Sequence, residues 1–301
     1  LARKLEESSP FHNRNIRVLT LAMGGYKQPQ QLLTLTYFLA LGADFDIVIN
    51  IDGFNEMVLP IKENLPKNVF LPYPRSWYMR VAAVDDHEIL LHLGRKATLK
   101  EKRQKQARLF SRLPFKYSVI SNLIWGFLDR RLRRRIYEND LSLQKYRLPG
   151  NSKDRYIATG PELSFTQRNQ LYSYLAEIWE NCSRQMDRLC RANRIEYYHF
   201  LQPNQYLPGS KIMGEEERRI AYNKDHPYRE HVIRGYPFLI RAGSRLMDEE
   251  IDFKDLTMIF KDSAEILYAD NACHLNREGY RQIAAAIAEF IIPQSKVQDN
   301  E

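Results

Sequence analysis

Two short stretches carry side chains that could move protons or hold a charge. Asp270-Asn271-Ala272-Cys273-His274 sets a carboxylate and an imidazole four residues apart, just before a C-terminal helical pattern. An imidazole accepts protons near neutral pH, and a carboxylate within reach fixes its tautomer and supports the cation it becomes. The same residues read equally as a helix-capping Asp beside a structural His. Gly53-Phe54-Asn55 places a side-chain amide beside a glycine, which suits either a donor to a developing oxyanion or a plain turn. Gly24-Gly25 admits the same pair of readings, since a missing Cβ lets a backbone N–H approach a ligand.

The elements around these stretches alternate. Ile16 to Ala22 is a short apolar run followed by the two glycines and by a helical pattern from Gln30 to Leu41. Asp46 to Ile51 repeats the form, apolar on both faces as a buried parallel strand is, and ends in the polar loop from Asp52 to Glu56. A long amphipathic helix from Gln167 to Asn193 precedes a strand from Ile195 to Leu201, which Pro203 stops. A strand from Glu265 to Tyr268 is expected before a closing helix from Glu278 to Ile292. Leu1 to Glu7 reads as the end of an amphipathic helix. Repeated βα units predict a single α/β domain over 1–301, a three-layer α/β/α sandwich with a parallel sheet and helices on both faces. The groups with chemistry then fall on loops at the carboxyl ends of strands, where open α/β sheets bind their ligands.

One segment breaks the alternation. Residues 75–150 read as helical and hold 18 Lys plus Arg against 7 Asp plus Glu, so the rest of a chain of net charge +8 carries −3. Three occupants suit this basic insertion: solvent around a helical cap, an anionic membrane surface along residues 95–135, or an anionic polysaccharide or nucleic acid. Nucleic acid ranks last, because no binding motif accompanies the charge.

Other chemistry is not indicated. Three cysteines without a CxxC pair give neither a disulfide framework nor a zinc site, and buried free thiols are expected. His199 reads as a satisfied strand residue, and His12, His87, His92, His226 and His231 form no HExxH pattern, so no metal or cofactor is expected. A composition of 44% hydrophobic and 27% charged residues excludes a wholly disordered chain. No run approaches the ~18 apolar residues of a membrane-spanning helix.

Taken in order, LAMGGY (21–26), IDGFNE (51–56), FLQPNQY (200–206) and DNACHLNREGY (270–280) resemble the conserved blocks of the SGNH, or GDSL-like, hydrolases. The resemblance spans the chain outside the basic insertion. It implies that Gly25, Asn55 and Gly53 form an oxyanion hole, that His274 is the general base, and that Asp270 orients it. The family's acid stands three residues before its His, a place held here by Asn271, so Asn271 is the second candidate for orienting the ring. No GDS-type or GxSxG block occurs in the chain. The nucleophilic Ser is therefore expected upstream of Leu1. The implied function is a serine esterase or acyltransferase on small-molecule or carbohydrate acyl esters, working without a cofactor. The alternative is a catalytically inactive domain of the same fold that binds a glycan or an anionic partner.

Overall fold

The computed structural model describes residues 1–8, 11–12, 14–77, 81, 87–145 and 155–295; residues 78–80, 82–86 and 146–154 of the insertion region lie outside these. The chain is mixed α/β, mostly helical, around one small parallel sheet. It divides into two compact units, 1–62 with 163–301 and, inserted between them, 63–162.

The first unit holds the sheet. Strand β1 (Ile47–Asp52) pairs in parallel with β2 (Glu196–Leu201), from Ile47 opposite Glu196 to Asp52 opposite Leu201. Strand β3 (Phe253–Asp255) adds to the far edge of β2, giving the order β1-β2-β3. Alternation along β2 sends successive side chains to opposite faces. Tyr198 and Phe200 meet Phe290 of the closing helix, with ring centroids 6.3 and 5.6 Å away. Tyr197 and His199 turn the other way, toward Ser183 and Met186 of the long helix.

The helices preceding β1 and β2 lie where periodicity predicts. Helix α1 spans Ala2–Glu6 and α2 Gln30–Ala40; α3 (Phe54–Leu59) starts directly after β1. In the inserted unit, α4 (His87–Phe110) and α5 (Val119–Lys145) are followed by the short α6 (Arg155–Thr159). Helix α7 (Arg168–Ala192) buries Leu171, Leu175, Trp179, Met186 and Cys190, a single stripe at helical spacing. Helices α8 (Glu215–Ala221), α9 (Arg229–Asp248) and α10 (Arg277–Ile291) complete the first unit.

Two expected strands are absent, each for a local reason. Residues 16–22 pair with no strand among the described residues, and Val18 and Leu19 are about 60% exposed (60% and 62%). β-branched composition favours a strand only where a neighbour supplies the ladder. Glu265–Tyr268 also forms no parallel strand, because the Glu217 carboxylate accepts from the N–H groups of Leu267 (2.8 Å) and Tyr268 (3.0 Å). Tyr268 instead makes one antiparallel bridge to Leu275. The third strand comes from Phe253–Asp255, too short for any periodicity to reveal.

Candidate functional site

The segment from Leu267 to Asn276 is a closed loop on the carboxyl side of the sheet. Its ends are tied by Asn276 N–H to the Leu267 carbonyl and by Ala269 N–H to the His274 carbonyl, both at 2.8 Å. Asn276 also starts α10, its side-chain oxygen accepting from Gly279 N–H at 2.9 Å. Within the loop, Asp270 Oδ1 accepts from the N–H groups of Ala272 (2.9 Å) and His274 (3.2 Å), an Asx turn that folds the chain back on itself. That turn brings Asp270 Oδ2 to 2.5 Å from His274 Nδ1. A spacing of four residues therefore does what three would do in a tighter turn.

Asn271 does not share the role. It contributes its backbone carbonyl, which accepts from the Tyr206 hydroxyl at 2.7 Å, and among the described residues its side chain makes no hydrogen bond. Partial burial acts to raise the Asp270 pKa, but hydrogen bonds from the His274 ring and from two backbone N–H groups, with the charge of the ring, hold it below the ordinary carboxylate value. The His274 side chain is 65% exposed, and among the described residues its Nε2 has no partner within the chain. A ring oriented at Nδ1 and open at Nε2 is set to take a proton from a group that approaches from outside.

The loop rests on the residues after β2. Gln205 Nε2 donates to the Asp270 carbonyl at 3.0 Å, and Tyr206 holds Asn271. Gln202 hydrogen-bonds Cys273, whose thiol burial pushes up to about 12. Cys273 beside the imidazole is thus a neutral thiol and no ready nucleophile. The amide-rich run Gln202-Pro203-Asn204-Gln205 was the one signal of this support in the sequence, but nothing in its spacing names its partners.

The candidate oxyanion donors come together at the end of β1. Asn55 Nδ2 donates to the Tyr26 carbonyl at 2.6 Å, which binds the two loops to each other. Tyr26 N–H closes a turn onto the Met23 carbonyl at 3.0 Å, with Gly25 at φ 84° in the position that requires a glycine. Among the described residues the Gly25 N–H makes no hydrogen bond within the chain. Gly53 is different, and its expected place among the donors is corrected. Its N–H is taken by Glu56 Oε2 at 2.8 Å, so what Gly53 supplies is the turn. At φ 129° a side chain is strained, and a Cβ would stand 2.3 Å from Leu201 Cδ1. Gly53→Ala is expected to cost about 3 kcal/mol or more, read as an earlier urea midpoint.

A row of rings joins the two clusters. Phe54 meets Tyr228 at 5.7 Å, Tyr228 meets His226 at 4.7 Å, and His226 stacks on Tyr206 at 5.8 Å, beside the Asn271 carbonyl. Burial lowers the His226 pKa, and its Nδ1 accepts from Tyr228 N–H at 3.3 Å. The Tyr236 hydroxyl, wholly buried on α9, has no hydrogen-bond partner among the described residues.

Beneath β1 lies a polar network that the sequence did not disclose. Ser183 Oγ stands 2.8 Å from His199 Nδ1, and His199 Nε2 stands 2.9 Å from Asp52 Oδ1. This order of Ser, His and Asp mimics a hydrolytic triad, yet Ser183 and His199 are 0% exposed and packed among Trp179, Tyr197 and Phe253. No ester could reach that hydroxyl without opening the core, so the network is structural.

Glu56 lies next to it, accepting from Gly53 N–H, Gln28 N–H and Gln31 Nε2. Burial, and then the Asp52 charge, push the Glu56 carboxyl up to about 8, against the pull of those donors. The folded state therefore keeps a proton that the unfolded chain releases from pH 4.5 upward, and stability falls as pH rises to about 8. Glu56→Gln is expected to flatten that slope, which is at most about 1.4 kcal/mol per pH unit in urea unfolding. An unchanged slope would sink the assignment.

Among the described residues no group of three or more His, Cys, Asp or Glu is placed to hold a metal ion. What fold and site define together is a parallel α/β unit with an oriented acid–base pair on its carboxyl edge. No known protein family, curated protein or solved structure matches the chain.

Proposed function

We propose that the chain is the larger part of an SGNH-type serine hydrolase, a three-layer α/β/α domain that cleaves acyl esters. The observation that carries this reading is the Asp270–His274 pair, locked at Nδ1 and open at Nε2, on the edge where Asn55 and the Gly25 N–H also lie. A serine from a strand upstream of Leu1 supplies the nucleophile. The edge of β1 supports that part, since among the described residues β1 is hydrogen-bonded to β2 alone and the apolar run 16–22 pairs with no strand. A further parallel strand beside β1 would end at the same carboxyl edge.

In this mechanism the serine oxygen attacks the acyl carbonyl as its proton passes to His274 Nε2, and Asp270 steadies the imidazolium. The Gly25 N–H and the second N–H of the Asn55 amide hold the tetrahedral oxyanion. His274 then protonates the departing alkoxide, and water repeats the sequence on the acyl-enzyme. Carbohydrate O-acyl groups are the preferred substrate class.

The experiment is p-nitrophenyl acetate hydrolysis by the protein with its upstream sequence, beside residues 1–301 alone. Activity in the first and not in the second supports the reading; equal background rates remove it. The second outcome would favour a glycan- or anion-binding domain, a reading supported by the lack of any described Ser hydroxyl hydrogen-bonded to His274.

A further inference from the structure

Helices α4 and α5 of the inserted unit form an antiparallel hairpin, 24 and 27 residues long, or about 36 and 40 Å at the helical rise. Polar contacts fasten it from its base to its waist. His92 Nδ1 meets Asn139 Oδ1 at 2.8 Å, and Lys96 pairs with Asp140 at 2.7 Å. The buried Asp129 takes Arg103 at 2.6 Å and Arg133 at 2.7 Å.

Beyond Asp129 the character changes. Leu113, Tyr117, Val119, Ile120, Leu123 and Phe127 surround the turn and are 60–76% exposed. The α5 members fall at helical spacing on one stripe, and the half-buried Trp125 lies on the opposite face, with the buried Asp129 and Leu132. So many large apolar side chains left together in water mark a surface that another phase or partner covers.

Charge says which. Residues 95–135 hold 14 Lys plus Arg against 2 Asp plus Glu, and Arg108, Arg112, Arg130 and Arg131 have no acidic partner among the described residues. We propose that this tip docks into the interface of an anionic lipid bilayer, the apolar residues entering the acyl boundary and the arginines resting among headgroup phosphates. Ile120 to Phe127 covers about 10 Å of helix, two turns whose apolar stripe can lie along the boundary of headgroups and acyl chains as interfacial helices do. Crossing the bilayer is a different matter: it takes about 20 apolar residues, and no described helix is long and apolar enough. A second copy of the chain is a poorer occupant, because apposed tips bring two strongly cationic collars together. Nucleic acid would satisfy the arginines and leave the aliphatic tip in water.

The proposal is independent of the catalytic reading and is tested on the whole chain. Co-sedimentation with phosphatidylcholine vesicles, with and without phosphatidylserine, is expected to show binding that needs the anionic lipid and weakens with salt. Ile120→Asp with Leu123→Asp should lower the partition coefficient at least about 10-fold, as should Arg130→Glu with Arg131→Glu. These positions are exposed, so unchanged urea unfolding confirms that the variants fold. No binding to anionic vesicles at low salt, or equal binding by the tip variant, overturns the proposal. So does a lipid-free dimer that the tip variant abolishes, which would make this face a self-association surface.

Discussion

On the proposed serine-hydrolase reading, replacing His274 by Ala is expected to lower kcat/KM for ester hydrolysis about 10²- to 10⁴-fold. Neither His226 nor His199 can take over. His226 has its Nδ1 engaged and its protonation opposed by burial, and His199 is sealed between Asp52 and Ser183. The loss should fall on kcat, because the imidazole acts on the proton in flight and not on substrate already bound. Asp270→Asn separates the charge and the ring tautomer from the turn, with a loss of similar size. Its amide oxygen can still accept from Ala272 N–H and keep the turn, while the charge that supports the imidazolium is gone. Ser183→Ala should leave the rate unchanged, since that hydroxyl is enclosed. Initial rates with p-nitrophenyl acetate across the pH range decide the matter. A His274→Ala enzyme that retains its rate would end the acid–base role.

Much of this site was legible because its residues are close in sequence. Asp270 and His274 share one loop, and Gly53 and Asn55 share another. What brings the loops together was not legible, because it is made by tertiary contacts: the Asn55 amide on the Tyr26 carbonyl, and Gln205 and Tyr206 on the Asp270 loop. The helices were readable for a similar reason, since the stripe on α7 declares its buried face within one segment. Strands depend on neighbours. Residues 16–22 have strand composition and no ladder, Glu265–Tyr268 loses its N–H groups to Glu217, and three residues at Phe253 suffice because β2 offers an edge. Asp52 was read as the start of a loop. It is the last residue of β1 and the centre of the buried network, a role set by α7 from more than a hundred residues away.

Asp52→Ala is therefore expected to be the most destabilising single change in the first unit, at about 3–5 kcal/mol. The carboxylate accepts from His199 Nε2 at 2.9 Å, Trp179 Nε1 at 2.5 Å, Asn50 Nδ2 at 2.9 Å and Gln28 Nε2 at 3.2 Å. Removing it strands four donors in the core, and each buried donor left unmade costs about 1–3 kcal/mol before relaxation. Against a total stability on the order of 5–15 kcal/mol, that leaves a domain near its threshold. Asp52→Asn should cost less, since its oxygen can still serve one pair of donors while its NH₂ faces the other pair. The pH dependence has the opposite sign to that of Glu56. Burial acts to raise the Asp52 pKa, but the His199 charge and the hydrogen bonds from His199, Trp179 and Asn50 outweigh it and hold it below the ordinary 3.8. Its contribution is thus complete above that value and is lost as pH falls through the lower, folded one. Because Asp52 precedes Gly53-Phe54-Asn55, loosening it should also unsettle the Asn55 donor and lower kcat in the surviving folded fraction. Urea unfolding at neutral pH, with and without the partner change His199→Ala, isolates the pair by a double-mutant cycle. A midpoint equal to that of the unaltered protein would mean that water reaches the stranded donors, and that α7 does not fix the end of β1 through this carboxylate.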